Sequence, residues 1–183
     1  KKIRSLAAEI TKGKKDILRK ARAVYDWTVE NTRRDPDVPG CGVGDVEAIL
    51  AKRSGKCADI GSLFVALARA AGVPAREILG LRLGKPGQTD ITDGHHCWAE
   101  FYADGKWWPV DISEGDKYTS LATYYFGHHP ANRFELSRGR DLVVEPAPTS
   151  GPINLLAYPV LEIGGKPAKA KVEFSFNRSV PGK

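Results

Sequence analysis

Apolar residues recur along this chain with two different periods. Over 14–32, Ile17, Ala21, Val24, Tyr25 and Thr28 fall on one face at helical spacing, so the pattern predicts a helix. A shorter helix is predicted over 3–11. Asp45 is placed to cap a helix over 46–53, closed by Ser54-Gly55. The clearest helical pattern starts at Cys57 and runs to about Ala71, with Ile60, Leu63, Phe64, Leu67 and Ala71 as its buried stripe. Gly72 is a natural stop, and Pro74 follows two residues on.

The period then shortens to two. Ile78 to Leu83 reads as a strand, and residues 95–103 and 106–113 alternate around Asp104-Gly105, a strong two-residue hairpin signal. Asp141–Glu145 reads as a further strand. Residues 153–163 and 167–176 read as a second hairpin around Gly164-Gly165, part of a sheet continuing past Lys183. Residues 35–44 form a Pro- and Gly-rich loop without the Gly-Lys-Ser/Thr ending of a phosphate loop. Residues 84–94 read as a mobile loop, and 145–152 as a linker.

The first hairpin carries chemistry. With Asp104-Gly105 as the turn, paired residue numbers sum to 209, which puts Asp111 opposite Trp98. Alternate residues share a face, so His96, Trp98 and Asp111 project to one side. His96 and Asp111 become diagonal neighbours about 7–8 Å apart at the backbone, a gap that an imidazole and a carboxylate can bridge. His95, Cys97, Ala99, Phe101, Trp108, Val110 and Ile112 face the other way, onto core. The register thus prefers His96 over His95 as the partner of Asp111 and makes Cys97 a poor nucleophile.

Cys57 opens a predicted helix, and a helix N-terminus favours the thiolate, the reactive form of cysteine. Cys57, His96 and Asp111 are then the nucleophile, base and orienter of thiol-based acyl transfer. The Cys57 N–H is a candidate for half of an oxyanion hole. Trp98 and Trp107 are candidates for substrate binding; with Tyr102 they either line a groove or cover the sheet.

Charge and cysteine content change this picture little. Net charge is +6. Residues 1–34 hold eleven Lys/Arg against four Asp/Glu, and the remainder is nearly balanced. These basic residues lie on a helix with an apolar opposite face, so a solvated face is expected, with no nucleic-acid partner. Contact with an anionic membrane surface or cell-wall polymer stays open. No apolar run approaches the ~20 residues of a membrane span. The chain starts at Lys1 and has no Met, which reads as a processed product. The pairs His95-His96 and His128-His129 are poorly placed to chelate, because strand neighbours point apart. The cysteine spacing matches no zinc pattern. No metal and no cofactor are therefore expected. Cys41 and Cys97 form a disulfide or remain buried thiols.

Gly55-Lys56-Cys57-Ala58-Asp59, Leu67-Ala68-Arg69-Ala70-Ala71-Gly72-Val73-Pro74-Ala75-Arg76, Gly80, His96-Cys97-Trp98-Ala99-Glu100 and Trp107-Trp108-Pro109-Val110-Asp111 occur in order. At these residues the chain resembles the transglutaminase-like superfamily of papain-like thiol enzymes. The resemblance implies an α+β, papain-like fold in which N-terminal helices pack on an antiparallel sheet, with a catalytic domain over 1–145 and a C-terminal β-hairpin extension over 146–183. It implies a cysteine-dependent amide hydrolase or acyltransferase acting on peptides or proteins through Cys57, His96 and Asp111. Asn132-Arg133-Phe134, Gly139-Arg140-Asp141-Leu142 and the terminal hairpin resemble bacterial members, which are often exported to the periplasm. Cys97 departs from the small residue usual at its position. The alternative is a catalytically idle module that binds peptide or cell-wall polymer on the same fold.

Overall fold

The computed structural model describes residues 1–85 and 87–177. Two helices open the chain, α1 (Lys2–Ile10) and α2 (Ile17–Asn31). The Asp16 carboxylate caps α2 by accepting from Arg19 N–H at 2.8 Å. Strand β1 (Arg33–Arg34) follows, and α3 (Val46–Lys52) comes after the loop over 35–44. Asp45 caps α3, as its position predicts, through the Glu47 and Ala48 N–H groups. Arg53, in the left-handed region at φ 59°, ends α3. The chain then runs into β2 (Ser54–Gly55), which pairs parallel to β1. That pairing hands the chain to α4 (Cys57–Ala70).

Helix α4 is the hub. Ile60, Leu63, Phe64 and Leu67 of the apolar stripe are buried and Ala71 partly so, but Ala58, Val65 and Ala68 on its other faces are buried too. A helix apolar nearly all round is one enclosed by partners. Here α1, α2 and α3 cover it on one side and the sheet on the other. Phe64, Leu63 and Leu67 lie at the centre with Tyr25, Phe101 and Val110. Truncating such a residue to alanine costs roughly 2–5 kcal/mol.

The sheet contains β3 (Ala75–Arg82), β4 (His95–Ala103) and β5 (Lys106–Val110), joined as antiparallel neighbours. The register of the β4–β5 hairpin is the one the turn predicts, with Ala103 opposite Lys106 and Ala99 opposite Val110. The second strand is shorter than the alternation predicts. It stops at Val110 because Asp111 leaves the ladder to cap α5 (Ile112–Lys117), accepting from Glu114 N–H at 3.1 Å. The spacing Asp111-Ile112-Ser113-Glu114 is a capping signal available in the sequence.

A short 3-10 turn (Thr119–Leu121) leads to β6 (Arg133–Arg138), which the sequence reading missed. It pairs with β3 to complete the order β5-β4-β3-β6. Its apolar Phe134 and Leu136 face solvent, so no buried stripe announces it. The β3–β6 register shifts between Leu79 and Gly80. A Cβ on Gly80 would stand 2.2 Å from the Phe134 carbonyl oxygen and 2.7 Å from the Trp98 ring, so a side chain there is excluded.

The C-terminal third corrects two expectations. Asp141–Glu145 is no strand; Leu142 makes one bridge to Ile153. The second hairpin shrinks to β7 (Glu162–Ile163) and β8 (Lys166–Pro167) around the predicted Gly164-Gly165 turn. Pro152, Pro159 and Pro167 lack the N–H groups that a longer ladder needs. The chain after β8 turns back instead to the loop over 84–94. Ile91 N–H donates to the Phe174 carbonyl at 2.9 Å, and Phe176 N–H to Thr89 at 2.9 Å. What lies at and beyond residue 178, including any continuation of this sheet, is outside the described residues. None of the described helices is long and apolar enough to cross a membrane.

Candidate active site

The start of α4 is built by one carboxylate. Asp59 is buried on the first turn of α4, and its Oδ2 accepts from Lys56 N–H at 3.0 Å. Its Oδ1 accepts from Val43 N–H at 2.9 Å and Gly44 N–H at 2.7 Å. The Ala58 N–H adds a 3.0 Å bond to the Cys41 carbonyl. The loop over 40–44 is thereby fastened to the helix end that carries Cys57. Gly42, at φ +87°, is needed for this approach, since a Cβ there would lie 2.0 Å from Asp59 Oδ2.

His96 and Asp111 meet, although Asp111 caps α5 instead of pairing with Trp98 on the ladder. His96 Nε2–H donates to Asp111 Oδ2 at 2.6 Å, and both side chains are 1% exposed. Asp111 Oδ1 also accepts from Ser113 Oγ–H at 3.1 Å and from Glu114 N–H at 3.1 Å. The guanidinium of Arg133, 3% exposed, lies 3.5 Å from Asp111 Oδ2. Burial alone would push the Asp111 carboxyl up; the His96 imidazole, Arg133 and the Glu114 N–H outweigh it and hold the carboxyl below its ordinary range. Burial likewise works against a charged His96, but the Asp111 carboxylate and the Cys57 thiol outweigh it and raise the imidazole.

His96 Nδ1 faces Arg82, whose Nη2 donates to it at 3.0 Å. Arg82 is also paired with Glu114. A proton arriving on Nδ1 would face this guanidinium, so the contact belongs to the neutral imidazole. The Nε of Arg82 and the Nε of Arg133 are buried and have no acceptor among the described residues.

A cleft of about 290 Å³ contains Cys57 and His96, edged by Cys41, Lys56, Arg82 and Tyr158. A larger cavity of about 940 Å³ adjoins it through Arg82 and Glu114 and is lined by Lys85, Lys117 and Arg133. Three sulfurs converge at the cleft: those of Cys41, Cys57 and Cys97 lie within 4.8 Å of one another. All three cysteines are free thiols. Hydrogen bonding from the Cys57 and Cys97 thiols pulls the Cys41 thiol down, and the same contacts push Cys97 up.

His95 also lines the cleft, whereas the two tryptophans lie elsewhere. His95 bonds the Ala157 carbonyl at 2.9 Å and stacks on Tyr158. Trp98 is buried against Gly80 and tilts toward His96 at 6.3 Å between ring centres. Trp107 packs under the Arg76 guanidinium, 3.8 Å from ring centre to cation, and against Tyr102. Neither tryptophan lines the cleft. Sequence reasoning assigns no role to Arg82, Arg133 or Glu114; of its two readings of Cys41 and Cys97, disulfide or buried thiols, the structure has buried thiols. Arg133 lies in the Asn132-Arg133-Phe134 segment, and no local spacing ties it to Asp111.

A model of the transglutaminase-like superfamily core matches residues 4–112, a span that includes Cys57, His96 and Asp111. The chain belongs to that superfamily. Among known proteins, it is similar to an uncharacterised protein of Haemophilus influenzae, 42% identical over 183 residues, a match covering 82% of this chain and 50% of the relative. The chain therefore spans about half the length of that relative. Two solved structures share the fold. One is a Cytophaga hutchinsonii protein proposed to be a cysteine protease, at TM-score 0.53 and 23% identity, covering 75% of this chain and 42% of that one. The other is the periplasmic domain of TgpA from Pseudomonas aeruginosa, at TM-score 0.51 and 23% identity, covering 66% and 44%.

Proposed function

We propose that this chain is a cysteine-dependent acyl-transfer enzyme acting on amide bonds of peptides or proteins. The observation that carries the reading is the buried 2.6 Å bond between His96 Nε2 and Asp111 Oδ2, beside the cleft holding Cys57 at the start of α4. Cys57 is the nucleophile. Its sulfur attacks the carbonyl carbon, and the Cys57 N–H stabilises the oxyanion. His96 takes the thiol proton on Nδ1, in place of its Arg82 contact, and delivers it to the leaving amine as the carbon–nitrogen bond breaks, leaving a thioester. His96 then takes a proton from water, or from an incoming amine, as that group attacks the thioester and frees Cys57. Asp111 keeps the imidazole oriented and balances its charge. Hydrolysis is the reaction we favour over amine transfer.

The basic neighbouring cavity, lined by Arg82, Lys85, Lys117 and Arg133, favours substrates carrying a carboxylate near the scissile amide. Superfamily membership and the fold shared with a periplasmic domain support a setting outside the cytoplasm. The basic faces of α1 and α2 are the surface for an anionic polymer there.

The test is turnover of a peptide-amide library, with and without a primary amine, followed by mass spectrometry for acid or new amide products. Products from wild type and none from Cys57→Ala are expected. Binding that survives Cys57→Ala, with no product from either protein, would instead establish the idle binding module.

A further inference from the structure

We propose that Cys41, Cys57 and Cys97 together form a binding site for a thiophilic d10 cation of the Zn²⁺ class, and that an ion bound there silences the site. Only the second half rests on Cys57 being the nucleophile; the binding does not.

The geometry is close to what such an ion needs. Zinc–sulfur bonds of about 2.3 Å in a tetrahedral arrangement put sulfurs roughly 3.8 Å apart. The three sulfurs here already lie within 4.8 Å of one another, so a closure of about 1 Å or less completes three corners. Linear spacing hides this because the ligands come from three elements: the loop over 40–44, the first residue of α4, and β4. Each is fastened independently. The Ala58 N–H bond to the Cys41 carbonyl and the Asp59 bonds to Val43 and Gly44 hold the loop. The Cys97 position is set by its pairing with Leu79 across the β3–β4 ladder.

The surroundings suit thiolate ligation. Ala58, Leu79 and Ala157 pack around Cys41 and Cys97, with Leu155 partly buried beside them. This apolar shell strengthens charge–charge attraction within it. Lys56 and Arg82 stand at the cleft side and offset the surplus negative charge of three thiolates around a dication. The fourth corner faces the cleft, where water completes it. Binding displaces to solvent whatever protons the three sulfurs still hold and changes no oxidation state. With its sulfur bound to the ion, Cys57 has no free lone pair directed at a carbonyl, so the ion acts as a reversible block.

The experiment uses the reduced, metal-free chain. Zn²⁺ is titrated against a chromophoric chelator, and Co²⁺ is added separately to look for sulfur-to-cobalt charge-transfer absorption. One ion per chain, a charge-transfer band and protection of Cys57 from haloacetamide are expected. Cys41→Ser and Cys97→Ser are each expected to weaken Zn²⁺ by tenfold or more and to remove the protection. Alkylation of metal-free Cys57 in each variant is the reference for that protection, and near-ultraviolet circular dichroism checks that each has folded. Absence of both a 1:1 Zn²⁺ complex and a charge-transfer band in folded wild type would overturn the proposal, as would binding unchanged in both serine variants. The two readings fail separately. Zinc binding with no peptide turnover in the metal-free protein keeps the metal site and ends the enzyme; turnover with no zinc binding does the reverse.

Discussion

The two walls of the cleft are built on opposite electrostatic principles. On one, His96, Asp111, Arg133 and Glu114 pack ionisable groups into a nearly dry space, with the part-exposed Arg82 paired to Glu114 at its edge. On the other, Cys41, Cys57 and Cys97 stand against Ala58, Leu79 and Ala157, with Lys56 and Arg82 at the cleft side. The adjacent residues His96 and Cys97 belong to different walls because successive β4 side chains point to opposite faces. The comparison teaches how one strand can supply both a proton carrier and a sulfur environment. Charged groups on the first wall hold the imidazole, and the apolar second wall leaves thiols as the dominant polarisable atoms.

Breaking the sulfur wall at its nucleophile should have the largest effect. Cys57→Ala is expected to abolish turnover, whereas removing a group from the charged wall leaves residual activity. Near-wild-type rates in purified Cys57→Ala would refute the mechanism.

On the charged wall, Asp111→Asn should lower kcat/KM on the order of 10³-fold while keeping the side-chain size. It also leaves Arg133 buried without its carboxylate, so chemical denaturation should show a loss on the order of 3 kcal/mol. The pH dependence has two limbs. Asp111 is held below its ordinary value, so its stabilisation is present above about pH 3.9 and disappears as pH falls through the lower folded value. His96 is raised, so its stabilisation is complete below about pH 6.5 and disappears as pH rises through the higher folded value. The stability gap between wild type and His96→Ala should therefore narrow on the alkaline side; a gap that widened there would contradict the pairing.

A gentler probe is Gly42→Ala, which forces a Cβ against Asp59 at positive φ. A loss of about 1–3 kcal/mol is expected, with slower alkylation of Cys57 as the loop over 40–44 loosens. Unchanged melting and alkylation would show that the loop does not brace the sulfur wall. The smallest change expected is from Trp107→Ala. The ring sits by Arg76, away from the cleft, so kcat/KM should stay within about twofold. A larger loss would restore Trp107 to the substrate groove.

How much was legible in the sequence depended on where the partners lie. The helices, the turn at Asp104-Gly105 and its register were readable because each rests on residues a few positions apart. The nearness of His96 and Asp111 was readable from that register, although Asp111 itself leaves the ladder. The end of β5 was misjudged because Asp111 both continues an alternating pattern and caps α5, and the cap prevails. Strand β6 escaped because its apolar side faces solvent, and the extended second hairpin failed because prolines removed its donors.

The sequence by itself determined the local elements, the superfamily resemblance and the three residues proposed for chemistry. Only the tertiary structure decided that Arg133 stands beside Asp111, that Arg82 occupies His96 Nδ1, and that cysteines at 41, 57 and 97 share one small volume. The reason is physical. Backbone periodicity and turn geometry are short-range and written in neighbouring residues, whereas these contacts arise when a loop, a helix end and a sheet close on one core.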